Sequence, residues 1–296
     1  FLGALSPSGP RGRLLVITYH RVPVDPDPLV PTEPDARLFE SQVRQISGLF
    51  RVLPLPDAVR LLIAGRIPAR AACITFDDGY QNNHSVAAPI LRKHGIPATF
   101  FVTKNAVQSG IMWNDLVIEA VRRAGASIDL STAGLQNDML VRDSGPAALA
   151  DSVLGQIKYL PKLERERIAA GLFASAASAS VPRLMMTEAE VADLARQGFD
   201  VGGHTVSHPI LARIEVEDAR AEVSECASWL ERVTGRAPVS FAYPNGRPGR
   251  DYGPEHVSMV RDAGFKYAVS TEWNCATRNV DPLQIPRIGW TRSSEF

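Results

Sequence analysis

Short apolar runs that alternate with helical patterns are the feature that most constrains the fold of this chain. Continuous rather than alternating runs indicate strands buried on both faces, as parallel sheets require. Such runs occur at 14–19, 71–76, 98–102, 199–203, 239–243, 266–270 and 284–288, with a weaker one at 50–55. Seven or eight strands alternating with helices predict an α/β fold, a closed or nearly closed (β/α) barrel. A doubly wound open sheet is the alternative, but no Gly-rich phosphate-binding fingerprint follows any strand.

One segment interrupts this alternation. Residues 103–186 separate two predicted strands by far more chain than one crossover helix needs. The segment contains helical patterns around 113–124, 146–159 and 162–174. We therefore expect a single domain over 1–296 with a helical insertion at 103–186. Two placements of the insertion stay open: against the outside of the barrel, or as a wall or lid over a substrate groove.

The charge balance and hydropathy bear on partners and location. Lys plus Arg and Asp plus Glu are both 32, so no net field would attract nucleic acid. No window approaches the roughly 20 apolar residues of a membrane span. The first residue is Phe1 rather than Met, so a signal peptide or anchor could have been removed. We expect the cell envelope or periplasm rather than the cytoplasm, although the compartment and the oligomeric state stay open.

Polar residues follow four of the predicted strands. In a (β/α) barrel the chemistry takes place at the C-terminal ends of the strands, so these residues should share one rim. They are His20 after 14–19, Asp77 and Asp78 after 71–76, His204 and His208 after 199–203, and Asn245 after 239–243. Scattered surface residues would not produce this distribution, which favours an active site.

Two of these groups together predict a metal site. His204 and His208 are spaced i, i+4, so one helical turn would point both imidazoles the same way. With Asp78 they form a facial three-ligand set that suits Zn²⁺, and also Fe²⁺, Co²⁺ or Ni²⁺. Asp77 then stays free to act as a base. Taken singly, Asp-Gly is also a turn signal and His-x-x-x-His is also two ordinary histidines.

These motifs resemble those of the polysaccharide deacetylase family, also called the NodB-homology family or carbohydrate esterase family 4. "TFDDG" at 75–79 is similar to its first motif and "HTVSHP" at 204–209 to its second, while "FAYPNG" at 241–246 stands in place of its third. The resemblance covers about 14–287 and implies a distorted (β/α) barrel of the NodB type. It also implies that Asp77 is the catalytic base.

The same resemblance implies the reaction. Asp78, His204 and His208 would bind one divalent metal, most simply Zn²⁺, with Co²⁺, Ni²⁺, Mn²⁺ or Fe²⁺ as alternatives. The enzyme would remove N- or O-acetyl groups from an acetylated glycan or amino sugar, with Asp77 accepting a proton from a metal-activated water.

Two positions depart from the family pattern. Ala242 stands where the third motif has an arginine that pairs with the base, and the late Leu-x-His motif is missing. A subgroup that deacetylates poly-N-acetylglucosamine is more similar, because there a Tyr-His pair near the N-terminus, matched here by Tyr19-His20, supplies the histidine. We therefore expect His20 to be the general acid. Arg287, at the end of the last predicted strand, could replace the missing arginine and hold Asp77 ionised; the alternative is a surface arginine.

The remaining assignments are less constrained. By resemblance, a backbone N–H near Asn245 would bind the developing oxyanion. Tyr243 and Trp290 are candidate sugar-stacking residues, with a core position as the alternative. Three other functions stay open: a non-haem iron enzyme, which would leave the second aspartate unexplained; a non-catalytic carbohydrate-binding module with a structural metal; and a hydrolase of non-sugar amides.

Overall fold

A computed structural model describes residues 6–125, 128–135, 144–176 and 180–291. Its eight strands form one sheet, and all of the strand pairs in it are parallel. The sheet order is β7-β6-β5-β4-β3-β1-β8, with β2 paired to β3 beside that path. The strands are β1 (Leu14–Tyr19), β2 (Arg51–Val52), β3 (Ala71–Phe76), β4 (Thr99–Val102), β5 (Asp200–Gly203), β6 (Ser240–Ala242), β7 (Tyr267–Val269) and β8 (Ile288–Gly289). The predicted α/β fold with seven or eight parallel strands is confirmed.

The sheet is curled so strongly that residues 285–288 pair with the strands at both of its ends. Ile285 forms a parallel bridge with Val269 of β7. Three residues later, Ile288 of β8 pairs with Ile17 of β1. The strand predicted at 284–288 is therefore split between the two edges, and the sheet closes into a distorted barrel instead of the open-sheet alternative.

Ten α-helices lie within the described ranges. They are α1 (Ala36–Leu49), α2 (Leu55–Ile63), α3 (Ala88–Lys93), α4 (Lys104–Ser109), α5 (Trp113–Ala124), α6 (Pro146–Ile157), α7 (Lys162–Ala176), α8 (Glu188–Arg196), α9 (Val216–Thr234) and α10 (Pro254–Asp262). The capping box that opens α8 is formed by Thr187 and Glu190, because each side chain satisfies a backbone N–H that a helix start leaves free. No helix in these ranges is both long and apolar enough to cross a bilayer.

Helices α4 to α8 lie between β4 and β5. Three of them, α5, α6 and α7, share an apolar cluster of their own, separate from the barrel core, which includes Val117, Val121, Val153 and Leu172. Residues of α4, α5 and α7 also line a cavity that contains His208, just beyond the end of β5. Helices α4 to α7, which we call the helical wall, therefore lie beside the barrel rim, and their role over a substrate groove stays a prediction.

Two glycines in β5 allow this strand to pack closely against its neighbours. A Cβ atom on Gly202 would lie 2.5 Å from the carbonyl oxygen of Ser240 on β6, and one on Gly203 would lie 2.9 Å from the ring of Phe265. Any side chain at these positions would push β5 away from its neighbours. Tight packing of β5 brings the residues that follow it close to the ends of β3 and β6.

Candidate active site

The turn after β3 sends two adjacent carboxylates in different directions. Asp77 extends the strand, since its N–H donates to the carbonyl of Tyr19 at 3.0 Å. Asp78 and Gly79 then adopt left-handed conformations with φ of +75° and +92°. Glycine is required in the second position, because a Cβ there would lie 2.9 Å from the Val102 side chain. Because the backbone turns at Asp78 and Gly79, the carboxylates of Asp77 and Asp78 contact different side chains.

Asp77 is paired with Arg287. Each guanidinium Nη atom donates to one of the two carboxylate oxygens, and both N···O distances are 2.7 Å. This bidentate geometry makes such pairs strong. Both residues are buried, with exposed fractions of 3% and 1%. The guanidinium also donates to the carbonyl of Ser270 and to the hydroxyls of Thr18 and Thr75. Arg287 is therefore an interior residue held in one orientation, not a surface arginine.

This pair sets the charge of Asp77. Burial alone would raise the pKa of the Asp77 carboxyl, but the charge and hydrogen bonds of Arg287 outweigh it and hold that pKa below its usual range. Asp77 is therefore a carboxylate at neutral pH.

Asp78, His204 and His208 form a triangle of donor atoms. The His204 and His208 Nε2 atoms are 3.1 Å apart, and the Asp78 Oδ1 atom lies 3.4 and 3.5 Å from them. Nδ1 of His204 lies 2.8 Å from the carbonyl of Ala242, which fixes the tautomer with the lone pair on Nε2. Burial and the neighbouring His204 lower the pKa of His208 to about 3, so its imidazole is neutral.

These residues fit a divalent cation. Donors bound at about 2.0–2.2 Å to one ion lie roughly 3 to 3.5 Å from each other, as the three atoms here do. Two neutral imidazoles and one carboxylate suit Zn²⁺ and other first-row divalent metals. Across the described ranges, this is the one group of His, Cys, Asp and Glu side chains close enough to hold a metal.

Helix α9 and a threonine hold the loop that contains the two histidines. The Glu222 carboxylate on α9 accepts from the N–H groups of Val206 and Ser207 and from the Ser207 hydroxyl. The Thr205 hydroxyl oxygen accepts from the N–H of His208 at 3.0 Å. The sequence analysis missed both roles, because nothing in the helical pattern of α9 distinguishes Glu222 from the other acidic residues of that helix.

Backbone strain is concentrated at this rim. Positive φ angles occur at five non-glycine residues of the described chain, and four of them follow β3, β5 or β6: Asp78 (+75°), Thr205 (+65°), His208 (+54°) and Asn245 (+58°). Left-handed conformations at such residues cost of order 1 kcal/mol or more and persist where the surroundings enforce them. The strained positions include two members of the donor triangle.

His20 lies at the same rim, at the end of β1. Its carbonyl accepts from the Asn83 amide at 2.8 Å, and its side chain is accessible to solvent. Desolvation lowers the pKa of His20, but the charges of Asp78, Glu33 and Asp77 raise it by more, so the net shift is upward. The imidazole is thus within electrostatic reach of both aspartates.

The structure does not bring all the predicted residues together. Asn245 follows β6 at the rim, where its carbonyl accepts from the Thr271 hydroxyl. Tyr243 is 1% exposed, with its ring stacked on Tyr252 and its hydroxyl donating to Leu283. The prediction that Tyr243 contacts a sugar is therefore wrong, because no face of the ring is open. Trp290 is partly buried against the barrel core.

A buried polar network that the sequence did not indicate joins the rim to the helical wall. Asp115 on α5 accepts from the Tyr80 hydroxyl at 3.1 Å, and Asn114 donates to that same hydroxyl. Arg21 lies 3.5 Å from Asp115 and covers the Tyr80 ring. Burial raises the pKa of Asp115 to about 6. Arg21 directly follows His20 and Tyr80 directly follows the first motif, so the network anchors α5 beside the site.

A cavity of about 340 Å³ opens beside the donor triangle. Ser207 and His208 form one side, and Trp113 and Leu116 of α5 with Glu166 of α7 form the other. Its volume is in the range of small-molecule sites, about 300–1,000 Å³. The cavity, the triangle and the Asp77–Arg287 pair together have the features of a hydrolytic site with room for a ligand.

The chain is similar in sequence to known proteins. A family model described as polysaccharide deacetylase matches residues 64–268. The Bacillus subtilis protein YxkH, a polysaccharide deacetylase by name, is 19% identical over 278 residues, which are 93% of this chain and 71% of YxkH.

Two solved structures have the same fold. The Streptococcus pyogenes deacetylase PplD in complex with acetate has a TM-score of 0.65 at 18% identity, over 96% of this chain and 94% of PplD. IcaB from Ammonifex degensii has a TM-score of 0.61 at 18% identity, over 96% and 92% of the two chains. The seven-stranded path of the sheet is thus the distorted barrel of the NodB type.

Proposed function

This chain belongs to the polysaccharide deacetylase family and is a hydrolase of carbon–nitrogen bonds other than peptide bonds, and from that premise we infer that it removes N-acetyl groups from amino sugars of a glycan. O-acetyl groups are the second candidate bond. The observation that supports this most directly is the donor triangle of Asp78, His204 and His208 beside the buried Asp77–Arg287 pair. A metal-binding set next to a separate, charged carboxylate suits hydrolysis, whereas an iron oxygenase would not need the second aspartate.

The first requirement is a Lewis acid. Asp78, His204 and His208 would hold a divalent ion, for which Zn²⁺ is our first candidate and Co²⁺, Ni²⁺, Mn²⁺ and Fe²⁺ are alternatives. Such an ion would lower the pKa of water and polarise the acetyl carbonyl. The tautomer of His204, fixed by Ala242, directs its Nε2 lone pair toward that ion.

Asp77 is the proposed general base. It accepts a proton from the attacking water, while the resulting hydroxide adds to the acetyl carbonyl carbon. Arg287 orients the Asp77 carboxylate for this step. Its two hydrogen bonds use one lone pair on each carboxylate oxygen and leave the other lone pair free to accept the proton. Thr18, Thr75 and Ser270 hold the guanidinium in position, so Asp77 has little freedom to turn away from the reacting water.

His20 is the proposed general acid, since an amide anion is too basic to leave without a proton. His20 gives its proton to the nitrogen as the C–N bond breaks, which yields acetate and the free amine. The upward shift of its pKa favours the protonated form that this step needs. By the family resemblance, a backbone N–H near Asn245 would stabilise the oxyanion that precedes bond cleavage.

Acetate release from N-acetylglucosamine oligomers tests this function. The protein is incubated with the oligomers after chelation, and again after addition of Zn²⁺ or Co²⁺. We expect acetate in solution and oligomers that have lost acetyl mass, both dependent on added metal. If the metal-loaded protein released no acetate from N-acetylated or O-acetylated glycans but did so from small non-sugar amides, the substrate assignment would be wrong and the hydrolase class would stand.

A further inference from the structure

A second cavity, of about 230 Å³, lies under the helical wall and is strongly basic. We call it the basic pocket; it is lined by Lys158, Lys162, Arg165, Arg213, Tyr159 and Pro209, among others. No Asp or Glu is among the described residues that line it. The chain as a whole has equal numbers of basic and acidic residues, 32 of each. Four cations without a lining carboxylate are therefore a local arrangement and not a consequence of composition.

Arg165 is the residue in the basic pocket that most needs a partner. It is 3% exposed, and its Nε and Nη2 atoms have no hydrogen-bond partner in the described structure. One face of its guanidinium lies on the Trp113 ring, 4.6 Å from the centroid, but stacking leaves the in-plane N–H groups unused. Buried charged donors without acceptors are costly, so an anion bound at this point would offset that cost.

Two of the other cations in the basic pocket, Lys158 and Arg213, lie at the Tyr159 ring, together with Arg250, which does not line the pocket. The Arg250 guanidinium lies 4.7 Å from the centre of Tyr159, and the Lys158 ammonium and Arg213 guanidinium lie 5.8 and 5.9 Å from it. Asp251, which does not line the pocket, offsets part of the positive charge at Lys158, and an anion in the pocket would reduce the remaining repulsion between the cations. Helix α7 begins at Lys162 in the wall of the pocket, and the free N–H groups of its first turn add partial positive charge.

The basic pocket adjoins the active site. Pro209 lines it and directly follows the metal-site residue His208, which lines the cavity beside the donor triangle. Trp113 separates the two cavities: it lines the first and supports Arg165, which lines the second. A glycan whose acetyl group lies at the triangle could therefore place a neighbouring substituent in the basic pocket.

We propose that the basic pocket binds an anionic substituent of the substrate, a phosphate or a carboxylate, so that the substrate is a charged rather than a neutral amino-sugar glycan. This proposal rests on the deacetylase function above and narrows its substrate class. Arginine recognises both oxyanions through paired hydrogen bonds, and the lysines add charge with less directional demand. The phosphate and the carboxylate share this chemistry, so the experiment must separate them.

Three oligosaccharides of equal length provide the test. One is the neutral N-acetylglucosamine tetramer, the second is the same tetramer with a phosphate ester, and the third alternates N-acetylglucosamine with glucuronic acid. Binding to the zinc-loaded protein is measured by calorimetry, and acetate release gives kcat/KM for each. Lys162→Gln and Arg165→Gln alter the basic pocket, and the exposed Arg60→Gln on α2 is the matched control. Thermal unfolding checks the buried Arg165 variant, while the partly exposed Lys162 variant should fold normally.

We expect at least one charged tetramer to bind about tenfold or more tightly than the neutral one, as expected for hydrogen bonds to a charged group. Each pocket variant should weaken that binding and raise KM for the same tetramer about five- to tenfold, with a smaller effect on the neutral tetramer. Whichever of the phosphate and the uronate shows the preference identifies the substituent. Added salt should reduce the preference, and Arg60→Gln should leave it unchanged.

Equal binding of all three tetramers by the wild-type protein would overturn the proposal. So would equal losses on charged and neutral tetramers in both pocket variants. If charged tetramers bound selectively but no tetramer released acetate, the basic pocket would stand and the deacetylase function would fail. If acetate were released without any charge preference, the function would stand and the basic pocket would not be part of substrate recognition.

Discussion

Arg287 and Asp77, 210 positions apart in the chain, meet as a fully buried bidentate ion pair with both N···O distances at 2.7 Å. Arg287 reaches this place because β8 pairs with β1, which brings the last strand against the one that holds Thr18. The pair keeps an ionised carboxylate in a desolvated position one residue from the donor triangle.

Replacing Arg287 with Met should shift the acidic limb of the pH–activity profile to higher pH. The guanidinium lowers the pKa of Asp77, so its removal raises that pKa, and the base becomes protonated at a pH where it is now charged. An opposite charge at this distance favours the ionised carboxyl, so we expect the acidic limb of the kcat/KM profile to lie at higher pH in the Met variant. Arg287→Lys, which keeps the charge but not the paired geometry, should shift the limb less. An unmoved limb in the Met variant would mean that Arg287 has no part in ionising the base.

The same pair should contribute to stability in a pH-dependent way. Removing one partner of a buried ion pair typically costs about 3–5 kcal/mol, so Arg287→Met should lower the free energy of unfolding at neutral pH. Because the pKa of Asp77 is lowered in the folded protein, its contribution is present above the unfolded pKa and is lost as pH falls through the folded pKa. The gap between wild type and variant, measured by denaturant unfolding, should narrow in acid. A double variant that also has Asp77→Asn should recover part of the loss, and a constant gap would contradict the assignment.

Substitutions of the two adjacent aspartates should affect different properties, metal binding for Asp78 and turnover for Asp77. Asp78→Asn removes the carboxylate from the donor triangle and should weaken metal binding. Asp77→Asn should leave the metal content unchanged but reduce turnover by about 10²–10⁴-fold, the usual contribution of a general base. His204→Ala and His208→Ala should also lose metal, with partial recovery in excess Zn²⁺ or Co²⁺.

Metal analysis by mass spectrometry, together with acetate release, checks these four variants. His84, which pairs with Asp193 away from the site, offers a matched histidine control, and His84→Ala should retain both metal and activity. An Asp77 variant that held less metal than the Asp78 variant would reverse the two roles.

His20→Ala should discriminate between leaving groups. If His20 protonates the departing amine, the variant should bind metal normally and hydrolyse the acetamide about 10²-fold or more slowly. An activated aryl acetate, whose leaving group needs no proton, should lose much less. Steady-state kinetics on both substrates gives the ratio, and His94→Ala, a surface histidine paired with Glu40, is the control. Equal losses on the two substrates would argue for a positioning role, and the acid would then have to be sought elsewhere.

Local sequence patterns were sufficient for the fold and for grouping the three residues of the donor triangle. The strands at 14–19 and 71–76 match β1 and β3 residue for residue, because a run buried on both faces has one dominant signal, continuous apolarity. The capping box at Thr187 and Glu190 is likewise a local interaction. Asp78, His204 and His208 could be grouped because each follows a strand, and parallel strands end at a common rim.

Residues that act through distant contacts could not be placed in this way. From the sequence alone, Arg287 could either pair with the base Asp77 or lie on the surface. The sequence also indicated Tyr243 as a sugar contact, although its ring is buried against Tyr252. It contained no signal for Glu222, for the link between Tyr80 and Asp115, or for Arg165 in the basic pocket. These positions depend on how the barrel closes and on where the helical wall packs against it.

The sequence by itself therefore determined which residues lie at the end of which strand, and only the tertiary structure decided which side chains meet there. The physical reason is the range of the interactions. Apolar periodicity and helix caps act over a few neighbouring residues, whereas the partners of Asp77 and the cations of the basic pocket come from elements far apart in the chain. Their contacts, and hence their charge states, exist only once the barrel and its helical wall are packed together.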